Sequence, residues 1–200
     1  FASARGSNDE QTAQEYFTLT ILYGLVLSAL ATVGIALFNE PLFRLFGADD
    51  VLLGLAKQYL KPILFAIPCC VFSNIISALL RNDGNPVLAT KAVIFGGIFN
   101  AFGDYFCVFV LDMGIFGAGL ATAIGQSISI FIMLLHFSGK KNTLCFVKVS
   151  KAAKKLRKIT VNGFSTAISD LAMGVIGVLF NRQIMKYLGA DALAVYGILT

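Results

Sequence analysis

The stretch Arg81–Thr122, RNDGNPVLATKAVIFGGIFNAFGDYFCVFVLDMGIFGAGLAT, decides how the chain folds. It opens on a polar turn, Arg81-Asn82-Asp83-Gly84-Asn85-Pro86, and then runs apolar from Val87 to Leu111. About 25 residues at ~1.5 Å per residue are enough to cross a bilayer as a helix. Asp104 lies inside that run, with Asn100 one helical turn before it. A carboxylate at membrane depth is costly, so its default reading is an ion or substrate site. The run closes at Leu111-Asp112-Met113-Gly114 and turns into another apolar segment. The pattern predicts a transmembrane hairpin built around a buried acid.

Composition agrees with a membrane protein. The 200 residues are 57% hydrophobic and 14% charged, with mean hydropathy +0.79, where soluble domains carry roughly 25% charge. Of the 16 basic residues behind the net charge of +5, half fall between Lys140 and Lys158. Such a cluster marks a cytoplasmic loop that sets topology and can touch anionic lipid; nucleic acid is not an expected partner. Cys69, Cys70, Cys107 and Cys145 show no CxxC spacing, and His136 is the single histidine, so zinc, haem and disulfides are not implied. No Ser-His-Asp, HExxH or Walker pattern occurs, and no enzymatic activity is expected.

Outward from the hairpin, further apolar runs read as spans. Before it, Tyr16–Phe38 forms a first span with a stripe of small residues, Gly24, Ser28, Ala31 and Gly34, suited to close helix packing. Ser7 or Asn8 is the expected cap of that helix, and Asn39-Glu40-Pro41 its expected break. Residues 42–61 are amphipathic and expected at the interface, leading into a second span, Pro62–Leu80, with Pro68 as a predicted kink. Gly96-Gly97 marks a weak point in the third span or a close helix approach. The fourth span runs from about Ile115 to Phe137. Its opening GIFGAG lacks the preceding strand of a dinucleotide loop and reads as helix packing. Past the basic linker, of which Phe146–Leu156 is expected to form a short surface helix, the fifth span runs from Ile159 to about Asn181 and carries Asp170. A turn at Tyr187–Asp191 precedes the start of a sixth span. With the basic linker cytoplasmic, the Arg81–Pro86 turn lies inside and the Asp112–Gly114 turn outside; Arg44, Lys57 and Lys61 then fall on the outer side against the rule.

Depth counting selects the candidate site. Asp104 lies seven residues before the outer end of the third span at Leu111, and Thr122 seven residues after Ile115 on the same side. Both therefore sit roughly 10 Å below the outer surface, and Asn100 shares the face of Asp104. A carboxylate, an amide and a hydroxyl supply hard oxygens suited to Na⁺ or to a proton relay; the plainer alternative is a neutral Asp that joins two helices. Asp170, about mid-membrane, is a second candidate for a proton or Na⁺. Asn74, Gln126 and Phe99 are substrate-cavity candidates, with Phe95, Phe102, Phe106 and Phe109 lining a pocket or facing lipid.

RNDGNP at 81–86, Asn100-x-x-x-Asp104, MGIFGAGLAT at 113–122, the Asp170 helix NGFSTAISDLAMGVIGVLFN and ALAVYGI at 192–198 together resemble the multidrug and toxic compound extrusion (MATE) transporters. The resemblance covers nearly all 200 residues. It implies an all-α polytopic membrane protein, an interior piece of a twelve-helix, two-lobe antiporter with about five complete spans plus partial ones. Residues 1–138 would be the amino-terminal lobe from the end of helix 2 through helix 6, residues 139–158 the interlobe linker, and residues 159–200 helix 7 and the start of helix 8. Asn100, Asp104 and Thr122 match the family's amino-terminal cation or proton site, and Asp170 the acidic position of its seventh helix. Ser165 stands where many members have Pro, and Gly119 where Ala is usual, an exchange expected to be harmless. The implied function is export of an amphipathic or cationic compound against Na⁺ or H⁺, with no bound cofactor, by a monomeric full-length protein of the bacterial inner membrane. The alternative is a flippase for lipid-linked precursors, which would need a strongly basic cavity; the spans offer acids and Lys91 only.

Overall fold

The computed structural model describes residues 1–46, 48, 50–139 and 141–199, with the backbone alone at 190–194 and 197–199. Lys140 of the predicted linker, Asp49 and the side chain of Asp191 lie outside the described residues. Helices α1 (Ala2–Gly6), α2 (Glu10–Leu45), α3 (Asp50–Asn82), α4 (Pro86–Tyr105), α5 (Gly114–Leu134) and α6 (Ala152–Leu199) make up the chain, with a π-helical turn at Phe106–Val110 and a 3₁₀ turn at Leu135–Ser138. Among the described residues five helices are long and apolar enough to cross a membrane, as the apolar runs predict. The chain forms two compact units, Phe1–Ser150 and the residues from Lys151 on.

Local chemistry explains where helices begin and bend. Asp9, rather than Ser7 or Asn8, caps α2 by accepting from the Thr12 amide at 3.1 Å; Asn8 is in the left-handed region at φ 55° and belongs to the preceding turn. The expected break at Asn39-Glu40-Pro41 is instead a kink at Phe38 (φ −109°, ψ 20°), and α2 continues to Leu45. Pro41 has no N–H and its ring collides with the carbonyl four residues back, so the distortion falls just before it. Neither Pro62 nor Pro68 ends α3, which starts at Asp50 and absorbs most of the predicted interfacial segment. Arg44 and Lys57, wrong-sided by the charge rule, are paired: Arg44 with Glu40 at 3.3 Å and Asp50 at 3.0 Å, Lys57 with Glu40 at 2.6 Å.

In the first unit α5 packs against both α3 and α4, α3 also touches α4, and α2 lies on α3. Small residues set these approaches. A Cβ on Gly96 would stand 2.6 Å from the Gly125 carbonyl oxygen, whereas one on Gly97 would meet nothing within 4 Å; the close approach is at Gly96 alone. A Cβ on Gly119 would lie 2.8 Å from the Tyr59 carbonyl oxygen and 2.6 Å from Pro62. The glycine at 119 is therefore not a harmless exchange here; it is what lets α5 reach α3. Only half of the α2 stripe is used: Gly24 and Ser28 are buried, Ala31 is exposed. The apolar core gathers at one end of the bundle, where Ile76, Leu80, Ala89, Ala92 and Met133 pack beside Phe17, Leu79 and Leu144. Elsewhere large side chains such as Leu37, Phe65, Phe102 and Phe109 point outward, which suits hydrocarbon surroundings.

The second unit is α6, which begins at Ala152 within the basic segment. Of the expected surface helix Phe146–Leu156, residues 146–151 are not helical, and 152–156 form the first turn of α6. Gly189 adopts φ 82°, a conformation open to glycine at little cost. The Phe180 and Tyr196 rings lie 5.4 Å apart, whereas 16 residues of straight helix would separate them by ~24 Å. The chain reverses at Gly189, within the turn predicted at Tyr187–Asp191.

Candidate functional site

Two helices build the site, α4 carrying Asn100 and Asp104 and α5 carrying Thr122. Gly96 and Gly125 remove the Cβ atoms at their crossing, and Gly103 faces Ala121, where an added Cβ would come within 3.0 Å of the alanine methyl. Backbones this close bring short polar side chains within reach. Asn100 Nδ2 donates to Thr122 Oγ1 at 3.2 Å, and Thr122 Oγ1 donates to the Ala118 carbonyl at 3.1 Å. Above this crossing, Ser129 Oγ donates to the Ala92 carbonyl at 3.1 Å. Asp104, one turn after Asn100, is half-buried, and its Oδ1 is fully buried with no hydrogen-bond partner among the described residues. The hairpin thus joins two of the three residues selected by depth, and leaves the third with an open acceptor.

The helix leaves α geometry directly after Asp104 and Tyr105. Phe106–Val110 is π-helical, a form found mostly as single turns and often near functional positions. The Met113 amide closes the hairpin by donating to the Cys107 carbonyl at 3.0 Å. Gly117 packs against that same carbonyl, which an added Cβ would approach to 2.9 Å.

The remaining candidates are dispersed. Asp170 is an exposed residue of α6 within the second unit. Asn74 is exposed and donates to the Cys70 carbonyl of its own helix at 2.9 Å. Gln126 is half-buried on α5, and Phe99 is 46% exposed on α4.

A polar cluster absent from the sequence-based candidates lies in the Arg81–Pro86 turn. Asp83, with no exposed side-chain surface, accepts from Arg5 Nη1 at 2.6 Å, from His136 Nε2 at 2.7 Å, from the Thr143 amide at 3.1 Å and from the Thr143 hydroxyl. Burial alone would push its carboxyl up, but the bonds from Thr143 and His136 and the nearby Arg5 charge outweigh it and hold the group below its ordinary value of 3.8. Asn85 Oδ1 caps α4 at the Leu88 amide, so its Nδ2 faces His136 Nδ1 at 3.1 Å. With a donor on that side, His136 carries its proton on Nε2 and gives it to Asp83. The alternation of spans puts the RNDGNP turn and the end of the fourth span on the same side, and that was the available signal.

A family model described as MatE matches residues 1–106. The chain belongs to the MatE family. Its similarity extends beyond that segment: it is 26% identical over 195 residues to "Multidrug export protein MepA" of Staphylococcus saprophyticus and 27% identical over 195 residues to the protein of that name from Staphylococcus haemolyticus. Each alignment takes in 96% of this chain and 43% of the relative, so the chain spans under half the length of the curated relatives it matches. Among solved structures, "Inward-facing conformation of a multidrug resistance MATE family transporter of the MOP superfamily" superposes with TM-score 0.88 at 24% identity, over 98% of this chain and 45% of that one. The outward-facing conformation of a transporter described in the same words gives 0.84 at 24% identity, over 98% and 44%. At that identity the likeness is one of fold. Five apolar helices in a MatE chain make this a multi-pass membrane protein.

Proposed function

We propose that this chain is part of a secondary antiporter of the bacterial inner membrane that exports amphipathic or cationic organic compounds while Na⁺ or H⁺ runs inward. One observation carries the reading: the buried, unpartnered Oδ1 of Asp104 beside the Asn100–Thr122 pair. A carboxylate oxygen removed from water and given no donor is costly, and a proton or a cation relieves that cost. For Na⁺ the available ligands are hard oxygens, the Asp104 carboxylate, the Asn100 amide oxygen and the Thr122 hydroxyl. For H⁺ the carboxylate alone suffices.

Coupling follows from mutual exclusion. An ion arriving at Asp104 neutralises the charge that favours an organic cation and draws on the contacts across the α4–α5 crossing, so the protein holds one passenger or the other. Rocking of two lobes then carries the site between the membrane faces. Asp170 supplies a second carboxylate for coupling in the same scheme, and Asn74, Gln126 and Phe99 contribute to substrate contacts. The export activity named for the Staphylococcus relatives supports this direction of transport.

The test is dye movement in liposomes that hold the full-length protein and a fluorescent organic cation, with Na⁺ and pH gradients imposed separately. Movement under either gradient, abolished in Asp104→Asn, is expected and names the coupling ion. Movement that survives unchanged in both Asp104→Asn and Asp170→Asn refutes the mechanism.

A further inference from the structure

Residues 142–150 form no helix or strand, yet several of their amides are bonded to side chains elsewhere in the first unit. The amides of Thr143, Cys145 and Val147 donate in turn to Asp83 Oδ2 at 3.1 Å, Gln14 Oε1 at 2.9 Å and Thr18 Oγ1 at 3.0 Å. The bonded amides alternate along the segment, at 143, 145 and 147. Here the acceptors a neighbouring strand would offer come from the side chains of α2 and of the RNDGNP turn. Gln14 closes the other side as well, its Nε2 donating to the Thr143 carbonyl at 2.6 Å. Gln14 and Thr18, one turn apart on one face of α2, stand where successive amides of the segment arrive.

Both ends of the segment are fastened. At the start, Arg5 donates to the Thr143 hydroxyl, which in turn donates to Asp83. At the finish, Ser150 Oγ donates to the buried Glu15 at 3.0 Å. Between them Leu144 is 4% exposed against Phe17 and Leu79, and the Phe146 ring lies 5.0 Å from that of Phe17. The next residue, Lys151, is left-handed at φ 50°, and the second unit starts there.

We infer that residues 142–150 are a fixed strap of the first unit, latched by Asp83, so that of the predicted linker 139–158 only the part after Ser150 lies outside that unit. The physical consequence is large. A free linker of 20 residues, the length of 139–158, would let its ends wander over ~25 Å, whereas a strap pinned to Ser150 leaves little slack. Asp83 is then a positioning residue: its four donors come from α1, the end of α5 and the strap, so one carboxylate ties three separate parts of the chain to the turn that bears it. The consequence for rocking between lobes rests on the antiport reading; the strap itself does not, and its test needs no transport.

Hydrogen exchange on the full-length protein in nanodiscs, read by mass spectrometry on peptides covering 142–150, decides the matter. In the wild type the amides of 143, 145 and 147 should exchange at least ~10-fold more slowly than those of an unstructured chain. Asp83→Asn should accelerate exchange across 143–147, and Thr18→Ala, which leaves the Asp83 cluster intact, should accelerate it at the 147 end. Should Asp83→Asn not fold, Thr18→Ala and Gln14→Ala carry the same test. Exchange of 142–150 at unstructured rates in the wild type overturns the strap, as does unchanged protection in every folded variant. A protected strap in a protein that moves no dye would leave this inference standing and sink only the transport mechanism.

Discussion

The α4–α5 crossing makes the candidate site sensitive to a single methyl group. In Gly125→Ala the new Cβ would lie 2.7 Å from the Gly96 carbonyl oxygen and 3.0 Å from Asn100 Cβ, where ordinary contact begins at 3.4 Å. Both obstacles are backbone or the first carbon of a side chain, so no rotamer change removes them. The helices must part by about 0.7 Å to restore van der Waals distance. Carried along to Thr122, three residues away on the same helix, that displacement stretches the Asn100–Thr122 bond from 3.2 Å to roughly 3.9 Å, beyond hydrogen-bond range. Overpacking of this kind costs about 1–3 kcal/mol. The expected result is a lowered unfolding temperature and a several-fold loss of ion-driven dye transport in liposomes. Gly97→Ala is the control, because a Cβ there meets nothing within 4 Å and replacing glycine in a helix gains about 0.5–1 kcal/mol. If Gly125→Ala transports and melts like Gly97→Ala, the crossing does not position the site and the reasoning fails.

Three further outcomes follow from the same structure. Thr122→Val removes the acceptor for Asn100 while keeping the shape; half-maximal coupling should need a steeper ion gradient, with the melting temperature changed by no more than about 1 kcal/mol equivalent. Leu80→Ala hollows the core where the side chain is 0% exposed and should cost about 2–5 kcal/mol, read as loss of folded protein after detergent heating with the Asp104 chemistry untouched. Asp83 has its carboxyl held below 3.8, so its contribution is complete above that pH and disappears as pH falls through the lowered value in the folded state. Arg5 and His136 bond it directly, and Glu10 lies 3.7 Å from Arg5. Pepsin should therefore nick the strap near Leu144–Phe146 increasingly as pH drops below about 4, whereas Asp83→Asn should be cut readily at every pH tested; equal acid dependence in both proteins would contradict the latch.

The helical spans, the hairpin at Arg81–Thr122 and the facing of Asn100 and Thr122 across it are legible in the sequence. The reason is geometric: in a membrane the span ends are anchored at the two surfaces, so counting residues at a fixed rise measures depth. Gly96-Gly97 reads as a weak point or a close approach, and packing selects the second at Gly96 alone. Helix ends and bends were less legible. Asn39-Glu40-Pro41 reads as a break, yet α2 passes through with a kink at Phe38, because neighbouring turns and flanking helices outweigh one lost hydrogen bond.

What the sequence alone determined, then, is what depends on local pattern: class, the apolar spans, and the motifs that place the chain in its family. What only tertiary structure decided is what depends on contacts distant along the chain. His136 and Asp83 are 53 residues apart, Thr143 and Asp83 60, and Cys145 and Gln14 131. No periodicity links such positions, and a basic segment reads as solvated loop whether or not its amides are held. The strap became visible once the folded bundle brought the RNDGNP turn, the end of α5 and the first turns of α2 to one end, where a single buried carboxylate could gather their donors.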